Sequence, residues 1–102
     1  MASAEKPSGT FRDDARWIDD RLAVEFTLDF RDDKSRRVIT CRVSREALDD
    51  AARRSGPIDA AVALRLFESF KDKIYSVVDR KLKLAHFQED GSIMVRTIDL
   101  NG

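Results

Sequence analysis

Apolar and polar residues alternate between Leu22 and Phe30, where every second residue is apolar and the residues between are small or polar. Because successive side chains of a strand point to opposite faces, this period of two predicts a strand with one buried and one solvated face. A second strand, Arg36 to Val43, follows a polar turn, so the two strands are predicted to form a hairpin. The apolar face of this hairpin is expected to contain Val24, Phe26, Leu28, Ile39, Cys41 and Val43.

Two helices are predicted after the hairpin. Ser44 is a typical N-cap for a short helix over residues 45–54, and the Ser-Gly-Pro sequence that follows is expected to end it. Asp59 is a candidate N-cap for a long helix that runs to about Leu84. At about 1.5 Å per residue this helix would measure about 38 Å, so we expect either an overhanging end or a break near residues 60–63. Its apolar stripe has the spacing of one helical face and comprises Ala63, Leu66, Phe67, Phe70, Ile74, Val77, Val78 and Leu84.

The two ends of the chain are predicted to differ in structure. Residues 1–10 are small and polar, with one proline and one glycine, which predicts a disordered tail before a single domain over residues 11–102. Residues 11–20 are interpreted as a short extended segment and a turn, which their aromatic side chains hold against the domain. After a polar turn at residues 89–92, residues 93–98 are predicted to form a closing strand.

These elements predict an α+β fold in the order β-β-α-α-β. An antiparallel sheet, formed by the hairpin and the C-terminal strand, is expected to pack against one short and one long helix. The apolar face of the hairpin would then contact Phe67, Phe70, Ile74 and Val77 of the long helix.

Composition and charge narrow the classes of function. The chain has 102 residues, 37% of them charged, with 19 basic and 19 acidic side chains. This balance argues against nucleic acid and against an anionic membrane surface as partners. A single cysteine excludes an internal disulfide, and neither a secretory signal nor an apolar run of about 20 residues is present. We expect a soluble cytoplasmic protein that is a monomer or a weak homodimer. If it has a partner, we expect that partner to be a protein.

Few residues are candidates for catalysis or metal binding. His86 is the only histidine and lies near the predicted end of the long helix, but a general base also needs a partner within hydrogen-bond reach. Cys41 falls on the inward face of the hairpin, where burial makes a thiol inert. Adjacent acidic residues point in different directions, so each acidic pair offers one metal ligand. The acidic pairs are Asp13-Asp14, Asp19-Asp20, Asp32-Asp33 and Asp49-Asp50. We therefore predict no catalytic residue, no metal site and no cofactor.

The candidate partner surface is a basic stripe on the long helix. Six basic and three acidic residues occur between residues 65 and 83. Such a local excess of positive charge is suited to a polyanion or an acidic partner. The alternative is a solvated helix face on which Lys71 pairs with Glu68 and Lys83 with Asp79, and we favour it. The basic stripe comprises Arg65, Lys71, Lys73, Arg80, Lys81 and Lys83.

Five short motifs follow one another along the chain. They are Phe11-Arg-Asp-Asp-Ala-Arg-Trp17, Ala23-Val-Glu-Phe26, Cys41-Arg-Val-Ser-Arg-Glu-Ala-Leu48, Phe67-Glu-Ser-Phe-Lys-Asp-Lys-Ile74 and Gly91-Ser-Ile-Met-Val95. In this order and spacing the chain resembles a family of short bacterial proteins classed as a domain of unknown function. The resemblance implies a soluble bacterial protein with a curved antiparallel sheet against helices, and it implies no activity.

The functional hypothesis from the sequence is a non-enzymatic binding or regulatory module. Two alternatives stay open at this point. The first is a nucleic-acid or polyanion binder that uses the basic stripe, and the second is a small enzyme that uses His86.

Overall fold

The predicted hairpin forms the centre of a mixed sheet in a computed structural model that describes residues 8–31 and 35–101. The strands of the described residues are Ser8–Phe11 (β1), Arg16–Ile18 (β2), Ala23–Arg31 (β3), Arg36–Ser44 (β4) and Ile93–Val95 (β5). Their helices are Arg45–Ala52 (α1), Ala60–Lys83 (α2) and Thr97–Asn101 (α3), and a 3-10 turn at Asp19–Arg21 precedes β3.

Strand β3 has neighbours on both sides. It pairs antiparallel with β4 over its whole length, from Ala23 opposite Ser44 to Arg31 opposite Arg36, while β1 and β2 share its other edge. Strand β5 pairs parallel with β4. The α+β class and the order of the predicted elements are confirmed, but the sheet is mixed rather than purely antiparallel. The reason is that α1 and α2 carry the chain back across the sheet, so β5 begins at the same end as β4.

The core lies between one face of the sheet and α2. Phe26 of β3 and Phe67 of α2 are both fully buried, and their ring centroids are 5.1 Å apart. The predicted apolar face of the hairpin is buried at all six positions. Most of the predicted helix stripe is buried too, although Phe70 is only partly buried at the edge of the core. Leu84 is 58% exposed because α2 ends at Lys83 and the chain turns away there.

The predicted N-caps are present at the starts of α1 and α2. The Ser44 hydroxyl accepts a hydrogen bond from the Ala47 N–H at 3.1 Å, and Asp59 Oδ1 accepts one from the Val62 N–H at 2.9 Å. These contacts satisfy backbone donors that have no partner inside the helix. Helix α2 is continuous over its 24 residues, so no break occurs near residues 60–63.

Helix α1 ends two residues earlier than predicted. Arg53 adopts the left-handed conformation with φ 53° and ends the helix, a role that the sequence assigned to the region of Gly56. The guanidinium groups of Arg45 and Arg54 donate hydrogen bonds to the carbonyls of Gly56 and Pro57, at 2.8 and 2.9 Å. The helix therefore ends at Arg53, before the glycine, and the two arginine side chains bind the loop that follows.

Both ends of the chain differ from the sequence prediction. Strand β1 begins at Ser8, inside the segment predicted as a tail, and residues 1–7 lie outside the described residues. The closing strand stops at Val95, and α3 replaces its predicted second half. The Asp99 carboxylate accepts a hydrogen bond from the Arg96 N–H at 2.9 Å, which caps the start of α3 as the acidic residue of a capping box does. Among the described helices, none is long and apolar enough to cross a bilayer.

Candidate functional site

A groove of about 730 Å³ lies where the 3-10 turn, the start of α1 and the start of α3 meet. Its apolar side chains are Leu22, Met94 and Ile98, and its charged side chains are Arg21, Arg45, Glu46 and Arg96. A volume of this size is within the range of about 300–1,000 Å³ that is typical of ligand pockets. The groove therefore combines an apolar surface with a rim that carries three positive charges and one negative charge.

Leu22 is held in an unusual backbone conformation at this groove. Its φ of 48° is left-handed, a region that bulky residues other than glycine rarely adopt. Its N–H donates to the Asp19 carbonyl at 3.2 Å, and its carbonyl accepts from the Arg45 N–H at 2.8 Å. Leu22 is the first residue of the alternating pattern that predicted β3, but its side chain is 50% exposed because the regular strand begins only at Ala23. The fold thus presents an apolar side chain to solvent at a conformational cost.

Ile98 is the second exposed apolar side chain of the groove, at 76% exposure. It lies on α3, a short helix that is anchored on its opposite side. Leu100 is fully buried there, and the Asn101 amide donates to the Ala47 carbonyl at 3.2 Å. Since α3 is fixed by these contacts, Ile98 has a defined position although its own side chain is largely in solvent.

The arginines of the groove differ in how far the protein already uses them. The Arg45 guanidinium donates to Asp49 at 3.3 Å and to the Gly56 carbonyl, while the Arg96 guanidinium donates to Gln88 Oε1 at 3.3 Å and to no other described residue. Arg21 forms no ion pair among the described residues. Arg21 and Arg96 thus retain hydrogen-bond donors for a ligand.

A smaller depression of about 430 Å³ adjoins the groove and shares Arg21 and Met94 with it. Its central side chain, Arg42, donates to Glu25 at 3.0 Å, to the Ser92 hydroxyl at 3.1 Å and to Asp90 at 3.4 Å. The hydroxyl and the N–H of Ser92 lower the pKa of Asp90 to about 2, with a further contribution from Arg42. Because Arg42 and Asp90 already pair with each other, the depression adds little for an external ligand beyond Arg21, which it shares with the groove.

The basic stripe predicted on α2 is not one uniform surface. Lys71 pairs with Glu68 at 3.2 Å and Lys83 with Asp79 at 2.9 Å, which are the two local pairs that the sequence suggested. Arg65, Lys73 and Arg80 form no ion pair among the described residues. The stripe thus contains both paired and unpaired cations.

Lys81 belongs to the packed side of α2 rather than to the stripe. It is largely buried and donates to Asp99 Oδ2 at 2.7 Å and to the Met94 carbonyl at 2.8 Å. Burial acts to raise the pKa of Asp99, but the hydrogen bonds from Lys81 and from the Arg96 N–H outweigh it, and the pKa is lowered. Lys81 therefore connects α2 to β5 and α3, the elements that carry one wall of the groove.

The other candidate residues are not brought together. His86 is exposed beyond the end of α2, where its backbone N–H donates to the Lys81 carbonyl at 2.9 Å, and it has no ion pair among the described residues. Asp14 accepts from the backbone N–H and the hydroxyl of Thr27, and Asp49 pairs with arginines. No group of three potential metal ligands occurs within residues 8–31 and 35–101, and Asp32-Asp33 lies outside the described residues.

Cys41 is fully buried and should be chemically inert in the folded protein. Burial raises the pKa of its thiol to about 12, with a smaller contribution from the charge of Asp14. Since the thiolate is the reactive form, we expect Ellman's reagent at neutral pH to leave the folded protein unmodified and to modify one thiol after denaturation. Rapid modification without denaturant would contradict this placement.

The fold and the groove together define a small α+β domain with an exposed apolar and cationic surface. The chain belongs to the family described as "Protein of unknown function (DUF1488)", whose model matches residues 10–95. The resemblance in the sequence is thereby confirmed.

A solved structure shows the same fold. It is the crystal structure, at 1.60 Å resolution, of a protein of unknown function from Shewanella loihica PV-4 that belongs to the same family. The two chains are 25% identical with a TM-score of 0.76, and the match covers 86% of this chain and 91% of the other. No curated protein matches this chain significantly.

Proposed function

We propose that this domain is a non-enzymatic module that binds another protein. The observation that carries the proposal is the groove, where Leu22 and Ile98 are exposed next to Arg21 and Arg96. Exposed apolar side chains within a polar rim are typical of protein interaction sites. Arginine and methionine are enriched in protein interfaces and lysine is depleted, and the groove has three arginines, Met94 and no lysine among its described lining residues.

The two alternatives have less support. An enzyme would need a nucleophile or carboxylate within reach of His86, which is exposed and does not line the groove. A polyanion binder would use the basic stripe, but Lys71, Lys81 and Lys83 are already paired within the chain. The unpaired cations that remain on α2 are interleaved with acidic residues, which is typical of a solvated helix face.

The proposal is tested by affinity capture from nuclease-treated bacterial lysate on the immobilised chain. We expect a specific protein to be retained and, once purified, to form a stoichiometric complex with this domain in analytical ultracentrifugation. If no protein is retained above the bare matrix, the proposed function is wrong.

Nucleic acid is tested separately, by gel shift against random DNA and RNA at 50 and 200 mM salt. We expect no shift at either concentration. Micromolar binding that weakens by orders of magnitude between them would instead indicate phosphate contacts.

A further inference from the structure

We infer that the groove is the docking site of this module and that it takes a peptide segment with an apolar side chain next to carboxylates. The inference rests on the proposed function and adds the location and the chemistry of the partner. Three features of the described residues carry it: the sign of the rim charges, the strained presentation of Leu22, and the position of Ile98 on an anchored helix.

Charge complementarity selects an acidic partner segment. The rim carries three arginines against one glutamate, and the guanidinium groups of Arg21 and Arg96 retain free donors. Arginine binds carboxylates with two parallel hydrogen bonds, which favours aspartate or glutamate in the partner. Leu22 and Ile98 are exposed and apolar. The partner segment is therefore expected to place an apolar side chain against them, next to the carboxylates that contact the arginines.

The conformation of Leu22 argues for a function of its side chain. A left-handed residue at the start of a strand is accommodated best by glycine, which pays no steric cost there. A leucine at this position gains little from burial, because half of its surface is exposed. The left-handed backbone ends the 3-10 turn here, as it ends α1 at Arg53, but this role does not require a leucine, so the exposed side chain is available for a functional surface. We therefore expect Leu22→Gly to keep or raise the thermal stability while it removes part of the docking surface.

A second copy of this chain fits the groove less well than an acidic segment does. In a twofold symmetric dimer the same patch faces itself, so the arginines of one groove would oppose those of the other. Like charges across an interface are unfavourable. The groove is therefore suited to a different partner rather than to self-association.

The test is to pan a phage-displayed library of random dodecapeptides against the full chain. We expect the enriched peptides to combine aspartate or glutamate with leucine, isoleucine or phenylalanine. A synthetic peptide of the enriched sequence is then measured against the variants Ile98→Ser, Leu22→Gly and Arg21→Glu by fluorescence anisotropy. Each substitution should weaken binding about tenfold, which is the effect of losing an interface anchor.

Leu84→Ser is the matched control, because Leu84 is an exposed apolar residue outside the groove. The affinity of this variant for the peptide should stay within about twofold of the wild type, because residues outside an interface contribute little to binding. The inference is overturned if no peptide is enriched, if the enriched peptides lack acidic residues, or if the groove variants bind as well as the control. If the groove variants still capture the same protein from lysate as the wild type, the groove is not the docking site, although the proposed binding function would stand.

Discussion

Phe67→Ala is expected to lower the free energy of unfolding by about 3–5 kcal/mol, the usual range for truncation of a core phenylalanine. Phe67 is 1% exposed, and its ring lies 5.1 Å from that of Phe26 and 6.1 Å, edge-on, from that of Tyr75. The cavity left by the truncation would adjoin both α2 and the central strand β3. Urea denaturation followed by the fluorescence of Trp17 measures the change.

Phe70→Ala is the matched comparison on the same helix. Phe70 is only partly buried, so less apolar surface leaves water on folding and the expected loss is about 1–2 kcal/mol. Equal losses for the two substitutions would contradict the placement of the core.

Lys81→Met is expected to destabilise the protein by about 2 kcal/mol, because it leaves the largely buried Asp99 carboxylate and the Met94 carbonyl without their shared donor. Lys83→Met removes an exposed pair with Asp79 on the same helix and should change the stability by less than about 0.5 kcal/mol. Thermal and urea denaturation of the two variants give the comparison. A larger effect at Lys83 than at Lys81 would contradict the structure.

The Lys81 effect should also depend on pH. The pKa of Asp99 is lower in the folded protein than the ordinary value of 3.8, so its contribution is fully present above that value. As the pH falls below 3.8 and through the lowered pKa of the folded state, the carboxyl becomes protonated and the contribution is lost. The stability difference between the wild type and Lys81→Met should therefore shrink in acid. The difference between the wild type and Lys83→Met should stay small over the same pH range.

Periodic patterns in the sequence predicted the long elements well. The period of two located β3 and β4, and the cap residues Ser44 and Asp59 located the starts of α1 and α2. The same spacing could have placed Lys81 correctly. It is four residues after Val77 and seven after Ile74, and so lies on the buried side of the helix rather than in the basic stripe.

The short elements could not be predicted in this way. Strands β1, β2 and β5 have three or four residues each, which is too few to show a period, and their pairing depends on tertiary contacts. The groove was missed for a related reason, since Leu22 continues the alternating pattern of β3 and only its left-handed backbone turns it outward. An isolated apolar residue such as Ile98 has no sequence signal that distinguishes a core position from an exposed one.

The most direct test of the binding surface is a titration of the ¹⁵N-labelled chain with the panned acidic peptide, followed by amide chemical shifts. A docking site in the groove predicts that the shifts concentrate at residues 21–22, 44–46 and 94–98, with little change along the outer face of α2. Shifts centred on Arg65, Lys73 and Arg80 instead, with the groove amides unchanged, would contradict it.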